Sequence, residues 1–225
     1  MFGLDDWIAN LSDGTTLAVI IGVAAVLGLR HASDPDHLAA VTTLIAGGRE
    51  RAARAAGRLG AAWGLGHATT LFCFGLPIVL YDAYLPEPAQ AAAETSVGVL
   101  IVALALWVLV RWHRGHTHGQ RRQRARSAWQ AYGIGLIHGM GGSAGVGVLL
   151  LATIHDRWIA VAALAVFAAC TAASMVLVTT GWGLTLSSRP VQRSFDRLVP
   201  ILGVVSASFG IWYALGALSL APYYS

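Results

Sequence analysis

The sequence predicts an all-α membrane protein: six transmembrane helices in two inverted three-helix repeats, the first helix broken by a proline. Three observations carry that reading. Of the 225 residues, 56% are hydrophobic and 12% charged, about half the charge of a soluble domain. Two histidines, two aspartates and a proline crowd into His31–His37, between the apolar runs Leu17–Leu29 and Leu38–Ile45. Arginine-rich loops alternate with acidic or neutral ones along the chain. The whole, residues 1–225, reads as one transmembrane domain: a repeat over about 15–112, a loop rich in arginine and histidine over 113–129, and a second repeat over about 130–220.

In chain order, Phe2, Leu4, Trp7, Ile8 and Leu11 recur at helical spacing opposite Asp5 and Asp6, which predicts a short amphipathic helix at the interface. With no basic n-region and three aspartates before Gly14, a cleaved signal peptide is not expected. The first span, about 15–46, exceeds the ~20 residues one crossing needs. Pro35 accounts for the excess, because its ring clashes with the carbonyl of His31 and pushes Asp34 out of helical geometry. Asp34 then caps a second half-helix with Pro35 at its first position. Such a break is tolerated at membrane depth where it lines a cavity.

The second span, Leu59–Tyr81, carries His67, Thr69 and Thr70. The third, Val97–Val110, is apolar throughout, and lipid is its expected surrounding. The fourth, about 131–154, holds His138 and a run of glycines; the fifth, Trp158–Leu186, holds Thr171 and Ser174; the sixth ends near Leu220. By the positive-inside rule, residues 47–58, 111–129 and 187–197 face the cytoplasm of a cell whose inner (plasma) membrane holds the chain, with both termini outside. The basic residues fall in these short loops, so the net charge of +4 speaks for topology and not for nucleic acid. Cys73 and Cys170 sit in separate apolar spans and suggest neither a disulfide nor a thiolate site. The Gly-Leu-x-His of Gly28–His31 returns at Gly135–His138 and at Gly64–His67. Three spans per half make the halves opposite in orientation, an arrangement that places binding sites at the repeat interface.

Each charge inside a span costs about 2.5–3.5 kcal/mol on insertion scales, so the cluster needs a function. Imidazole and carboxylate together suit nickel, cobalt, zinc or ferrous iron. A turn and a half-helix can aim His31, Asp36 and His37 at one point, with Asp34 held for capping. His67 reads either as a further ligand or as a helix–helix hydrogen bond, and His138 either as a ligand or as a buried structural histidine. Thr69, Thr171 and Ser174 either line the path or bond back to their own helices. His113, His116 and His118 either collect metal at the cytoplasmic face or are simply solvated.

His31-x4-Asp36-His37, within Leu29–Leu38, resembles the signature of the nickel/cobalt transporter family, and Leu65-Gly66-His67-Ala68-Thr69 and Gly135–Gly139 resemble its further histidine motifs. Longer members have eight spans and an acidic Phe-Asp-Thr-Ala-Thr-Glu motif that this sequence lacks, so the likeness is to the short, six-span branch of urease-accessory permeases. The resemblance implies a carrier of Ni²⁺ or Co²⁺ as transported substrate, with no catalytic cofactor, and His31, Asp36 and His37 in binding. The candidate partners are the ion, the bilayer, a second copy of the chain and nickel-enzyme maturation proteins. No Gly-x4-Gly-Lys-Ser/Thr phosphate loop occurs, so the transport would draw on a gradient or a partner. Two alternatives stand beside it. His31-x4-Asp36 also has the spacing of membrane acyltransferases, in which the histidine is a general base, though His37 then has no role and a non-enzymatic chain is expected. The other is a metal-binding subunit of a multi-component transporter.

Overall fold

A computed structural model describes residues 4–46, 52–81, 86–117, 127–141, 154, 156–186, 188, 191 and 194–221. They form seven helices and no strand: α1 (Leu4–His31), α2 (Pro35–Ala46), α3 (Ala52–Tyr81), α4 (Glu87–Thr117), α5 (Ala128–His138), α6 (Arg157–Leu186) and α7 (Phe195–Ala217).

The helix ends follow local chemistry. Ser33 N–H bonds to the Arg30 carbonyl and Asp34 N–H to that of His31, closing the turn that ends α1. Pro35 opens α2, and the Asp34 carbonyl accepts from Leu38 N–H, so Asp34 holds the cap position. Ser127 and Gln130 form a reciprocal capping box at the start of α5. The Asp156 carboxylate takes the N–H groups of Trp158 and Ile159 at the start of α6.

Four helices, α3, α4, α6 and α7, are long and apolar enough to cross a membrane. The broken pair Leu17–His31 and Pro35–Val41, bent by 47°, makes a fifth candidate span. Of the expected fourth span, α5 supplies only 11 described residues, about 16 Å at 1.5 Å per residue, or half a crossing. Residues 142–153 lie outside the described ones.

Two expectations are corrected. The N-terminal amphipathic segment is no separate helix, because residues 4–31 run unbroken as α1; nothing between Leu11 and Leu17 is a breaker strong enough to stop it. The third span is not ringed by lipid. Val97, Ile101, Leu104, Ala105 and Val108 on α4 are buried while Val99, Leu106 and Val110 are exposed. A uniformly apolar helix carries no stripe to reveal which face its neighbours will cover.

The helices pack in a defined set of pairs. α3 runs along both α6 and α5, α1 lies on α6, and α4 lies on α7, with α2 touching α4, α7 and α6. Small residues let these pairs close up. A Cβ on Gly28 would stand 2.5 Å from the Phe167 carbonyl oxygen and 3.1 Å from Thr171 N on α6, and one on Gly135 would collide with the Trp63 carbonyl oxygen and lie 2.9 Å from His67 N on α3. On α4 and α7 the relation is mutual, since a Cβ on Gly98 or Gly210 would lie 2.9 Å from the other's carbonyl oxygen. The outward faces carry Val26, Leu65, Val99, Leu106, Leu177, Val204 and Val205, exposed as lipid-facing residues are. Trp129 and Trp158 stand exposed on the first turns of α5 and α6, where interfacial anchors sit.

Candidate metal centre

Two helix ends meet inside the bundle. α1 stops at His31 and α5 stops at His138, and α2 starts beside the first with Asp36 and His37 in its opening turn. α3, packed against α5, contributes His67, whose Nε2 meets that of His31. His31, Asp36, His37, His67 and His138 are all buried, His67 and His138 completely.

Their rings cluster around His37. Its ring centroid lies 4.5 Å from that of His31, 4.9 Å from His67 and 4.4 Å from His138. Nε2 of His31 is 3.1 Å from Nε2 of His67. Nδ1 of His31 pairs with the Asp34 carboxylate at 3.2 Å, and Nδ1 of His37 with the Asp36 carboxylate at 3.1 Å. The other Asp36 oxygen is 3.5 Å from Nε2 of His138. Arg30, exposed, reaches Asp34 at 4.0 Å. A carboxylate behind an imidazole fixes its tautomer and aim, the usual support for a metal-binding histidine.

Several polar atoms here are buried with no hydrogen bond: Nε2 of His37, Nδ1 of His67, both ring nitrogens of His138 and one oxygen of Asp36. Buried polar groups are nearly always paired, and an unpaired one costs about 1–3 kcal/mol. Two of the five, the Asp36 oxygen and Nε2 of His138, face each other at 3.5 Å, and the residues that carry the five could hold a metal ion. Donor atoms of His31, His37 and His67 lie within 4.8 Å of one another, as do those of Asp36, His37 and His138. Nitrogen and carboxylate oxygen without thiolate suit a borderline divalent ion.

The supporting residues divide. Ser174 donates to the Leu29 carbonyl at 2.6 Å, satisfying one of the carbonyls left open at the end of α1. Thr171, fully buried, donates to the Phe167 carbonyl of its own helix. Thr69 is exposed and donates to Leu65, so it does not face the cluster; Thr70, the next residue, is buried and joins α3 to α5 through the Leu136 carbonyl at 2.9 Å. His138 has no polar neighbour in the sequence, but α2 brings Asp36 against it. His113 is exposed on α4, while the side chain of His116 and all of His118 lie outside the described residues.

Two aromatic residues went unread in the sequence. Trp63 lies 5.7 Å from the His37 ring and 5.6 Å from that of His138, and Phe167 lies 5.8 Å from that of His31. Both are buried. A large apolar residue within an apolar span is background, and only the histidine spacing could have hinted at Trp63, one turn before His67.

Fold and site together define an integral membrane protein of α-helices with a buried histidine–aspartate cluster where two half-helices end. The chain is 30% identical over 216 residues to urease accessory protein UreH of Bacillus sp. (strain TB-90), covering 89% of this chain and 92% of that protein. It belongs to that urease accessory family, and its role is not that of an enzyme. No protein-family model and no solved structure matches it. His31 takes Asp34 at its Nδ1, while Asp36, its acyltransferase-like partner by spacing, pairs with His37.

Proposed function

We propose that the chain is a permease for a divalent transition metal, Ni²⁺ first and Co²⁺ second, in the manner of the nickel/cobalt transporters. The observation that carries this reading is the pocket of five buried ligand side chains with unpaired donor atoms, set at half-helix ends among spanning helices. Its family supports nickel over the other borderline ions, since urease is a nickel enzyme and maturation proteins for such an enzyme are the natural recipients of the ion. An inside-negative potential suffices to drive uptake: a dication gains about 4.6 kcal/mol per 100 mV, twice the single-charge value.

The fold reading that goes with it is six spans in two inverted repeats, α1 to α4 and α5 to α7. The packing supports it. Exchanging the halves turns the α1–α6 pair into the α5–α3 pair and returns α3–α6 and α4–α7 to themselves. Gly28 against Phe167 and Thr171 then matches Gly135 against Trp63 and His67, and Gly98 matches Gly210. His31 corresponds to His138, and Thr171 takes the place of His67.

The test is Ni²⁺ and Co²⁺ flux into proteoliposomes of the purified chain under an imposed inside-negative potential. Flux is expected with the chain alone and is expected to fall to background in His37→Ala. Unchanged flux in that variant removes His37 from the site; metal bound without flux points instead to a subunit that needs a partner.

A further inference from the structure

The donors of the cluster do not converge on one point. Two ligand atoms on one borderline ion stand at most about 4.2 Å apart, twice a metal–nitrogen bond. Within a 4.8 Å limit the described residues give two triads, His31–His37–His67 and Asp36–His37–His138, and His37 alone belongs to both. Its Nδ1 pairs with Asp36 at 3.1 Å, and its Nε2 is buried with no hydrogen-bond partner, so His37 stands where the two triads join.

The triads also differ in chemistry and in neighbours. The first is three imidazoles, with Phe167 beside His31. The second replaces one imidazole by a carboxylate and has Trp63 beside both His37 and His138. In the orientation argued above, α1 descends from outside to His31 and α5 rises from the cytoplasm to His138. The first triad therefore lies outward, under Phe167, and the second inward, over Trp63.

Resting on the permease reading, we infer that the ion occupies two successive positions, an outer all-imidazole one and an inner one completed by Asp36, and passes between them on His37. A neutral donor set takes up a dication that has shed its water, and the carboxylate of the inner set then draws it on. Because His37 belongs to both sets, the ion changes its other ligands while it stays beside that ring. Occupation is by one ion at a time, because two dications on neighbouring ligand sets in a buried site repel strongly. Phe167 and Trp63 cover the outer and inner ends.

The experiment uses the purified full chain in detergent, with Ni²⁺ titrated by calorimetry and Co²⁺ as optical probe. Wild type is expected to bind one ion per chain. His31→Ala and His138→Ala, each sparing one triad, are expected to weaken binding by less than about tenfold, while His37→Ala and the double variant weaken it by ~100-fold or more. The Co²⁺ spectra of the two single variants should differ, one reporting mixed nitrogen and oxygen ligation and the other nitrogen alone. Both single variants should lose flux in proteoliposomes although they bind. Single-variant losses as deep as that of His37→Ala would overturn the two-position scheme and leave one site. Wild type that binds no metal would sink the permease reading itself. Gel filtration and thermal melting check each fold, and His31→Gln and His138→Gln repeat the comparison if an alanine variant aggregates.

Discussion

Asp36 is the residue where function and stability pull apart. Its described partners are the imidazoles of His37, at 3.1 Å from one oxygen, and His138, at 3.5 Å from the other. A carboxylate buried without a fixed cation is expensive, by several kcal/mol even after relaxation. Asp36→Asn keeps an oxygen for His37 Nδ1 and removes the charge. The metal-free protein is expected to melt at a higher temperature than wild type, by the equivalent of about 1–2 kcal/mol. Metal affinity is expected to fall about 10–100-fold, so the rise in melting temperature that Ni²⁺ produces should shrink. A lower melting temperature for metal-free Asp36→Asn would mean that the carboxylate is needed for packing and not for an ion. At this scale the sequence was a good guide to which polar residues the fold gathers and a poor one to their neighbours. His31, Asp36 and His37 stand out because ionisable residues inside an apolar span have no bland purpose. Trp63 and Phe167 do not stand out there, and neither does the choice between Thr69 and Thr70. Adjacent residues on a helix point about 100° apart, and only the packed position of α3 shows that the second threonine meets α5.

Among the elements, the break after α1 was legible and the end of α5 was not. Pro35 is an unmistakable signal, and α2 starts there. α5 stops at His138 with Gly139, Met140 and Gly141 after it, and glycine permits a stop without requiring one. What glycine does require is visible in the contact of α5 with α3. A Cβ on Gly66 would collide with the Tyr132 carbonyl oxygen, and one on Gly135 with that of Trp63, so the two helices touch backbone to backbone, and Gly139 approaches the His67 carbonyl in the same way. This contact sets the spacing between His67 and His138. Gly133, two residues from Gly135, has nothing within 4 Å of where a Cβ would lie. Gly135→Ala is therefore expected to force the helices apart, lowering stability by about 1–3 kcal/mol and metal affinity with it. Gly133→Ala, gaining helix propensity worth up to about 1 kcal/mol, should be neutral or stabilising and bind metal normally. Thermal melting and Ni²⁺ titration of both variants check the pair; equal behaviour would show that α3–α5 contact does not govern the site.

For the whole molecule, the open quantity is the parity of crossings, and parity is a measurable fact about the two ends of the chain. Four long helices and one broken pair give five spans among the described residues, and five would leave the termini on opposite sides. The arginine-rich segments 47–58, 111–129 and 187–197 favour a sixth, because Arg111–Arg126 and the Arg189–Arg197 segment can share a side only if the chain crosses twice between them. α6 is one of those crossings, and the six-span reading proposed above begins the other with α5. Single-cysteine labelling decides between five and six. Cys73 and Cys170 are first replaced by alanine, which keeps at Cys170 the Cβ that packs near Gly28. A cysteine is then placed at Asp13, Gly48, Ala83, Gly119, Ser188 or Ser225 in turn, and intact cells are treated with a membrane-impermeant maleimide. Asp13, Ala83 and Ser225 are expected to label, and Gly48, Gly119 and Ser188 to label only after the membrane is opened. Labelling of Asp13 but not Ser225 would mean an odd number of crossings. The halves could then not be inverted copies of three spans each, and the correspondence of Gly28 with Gly135 would be a local packing likeness only. Labelling of both ends fixes an even count, and with it the opposed entry of α1 and α5 that brings His31 and His138 to one pocket from the two faces of the membrane.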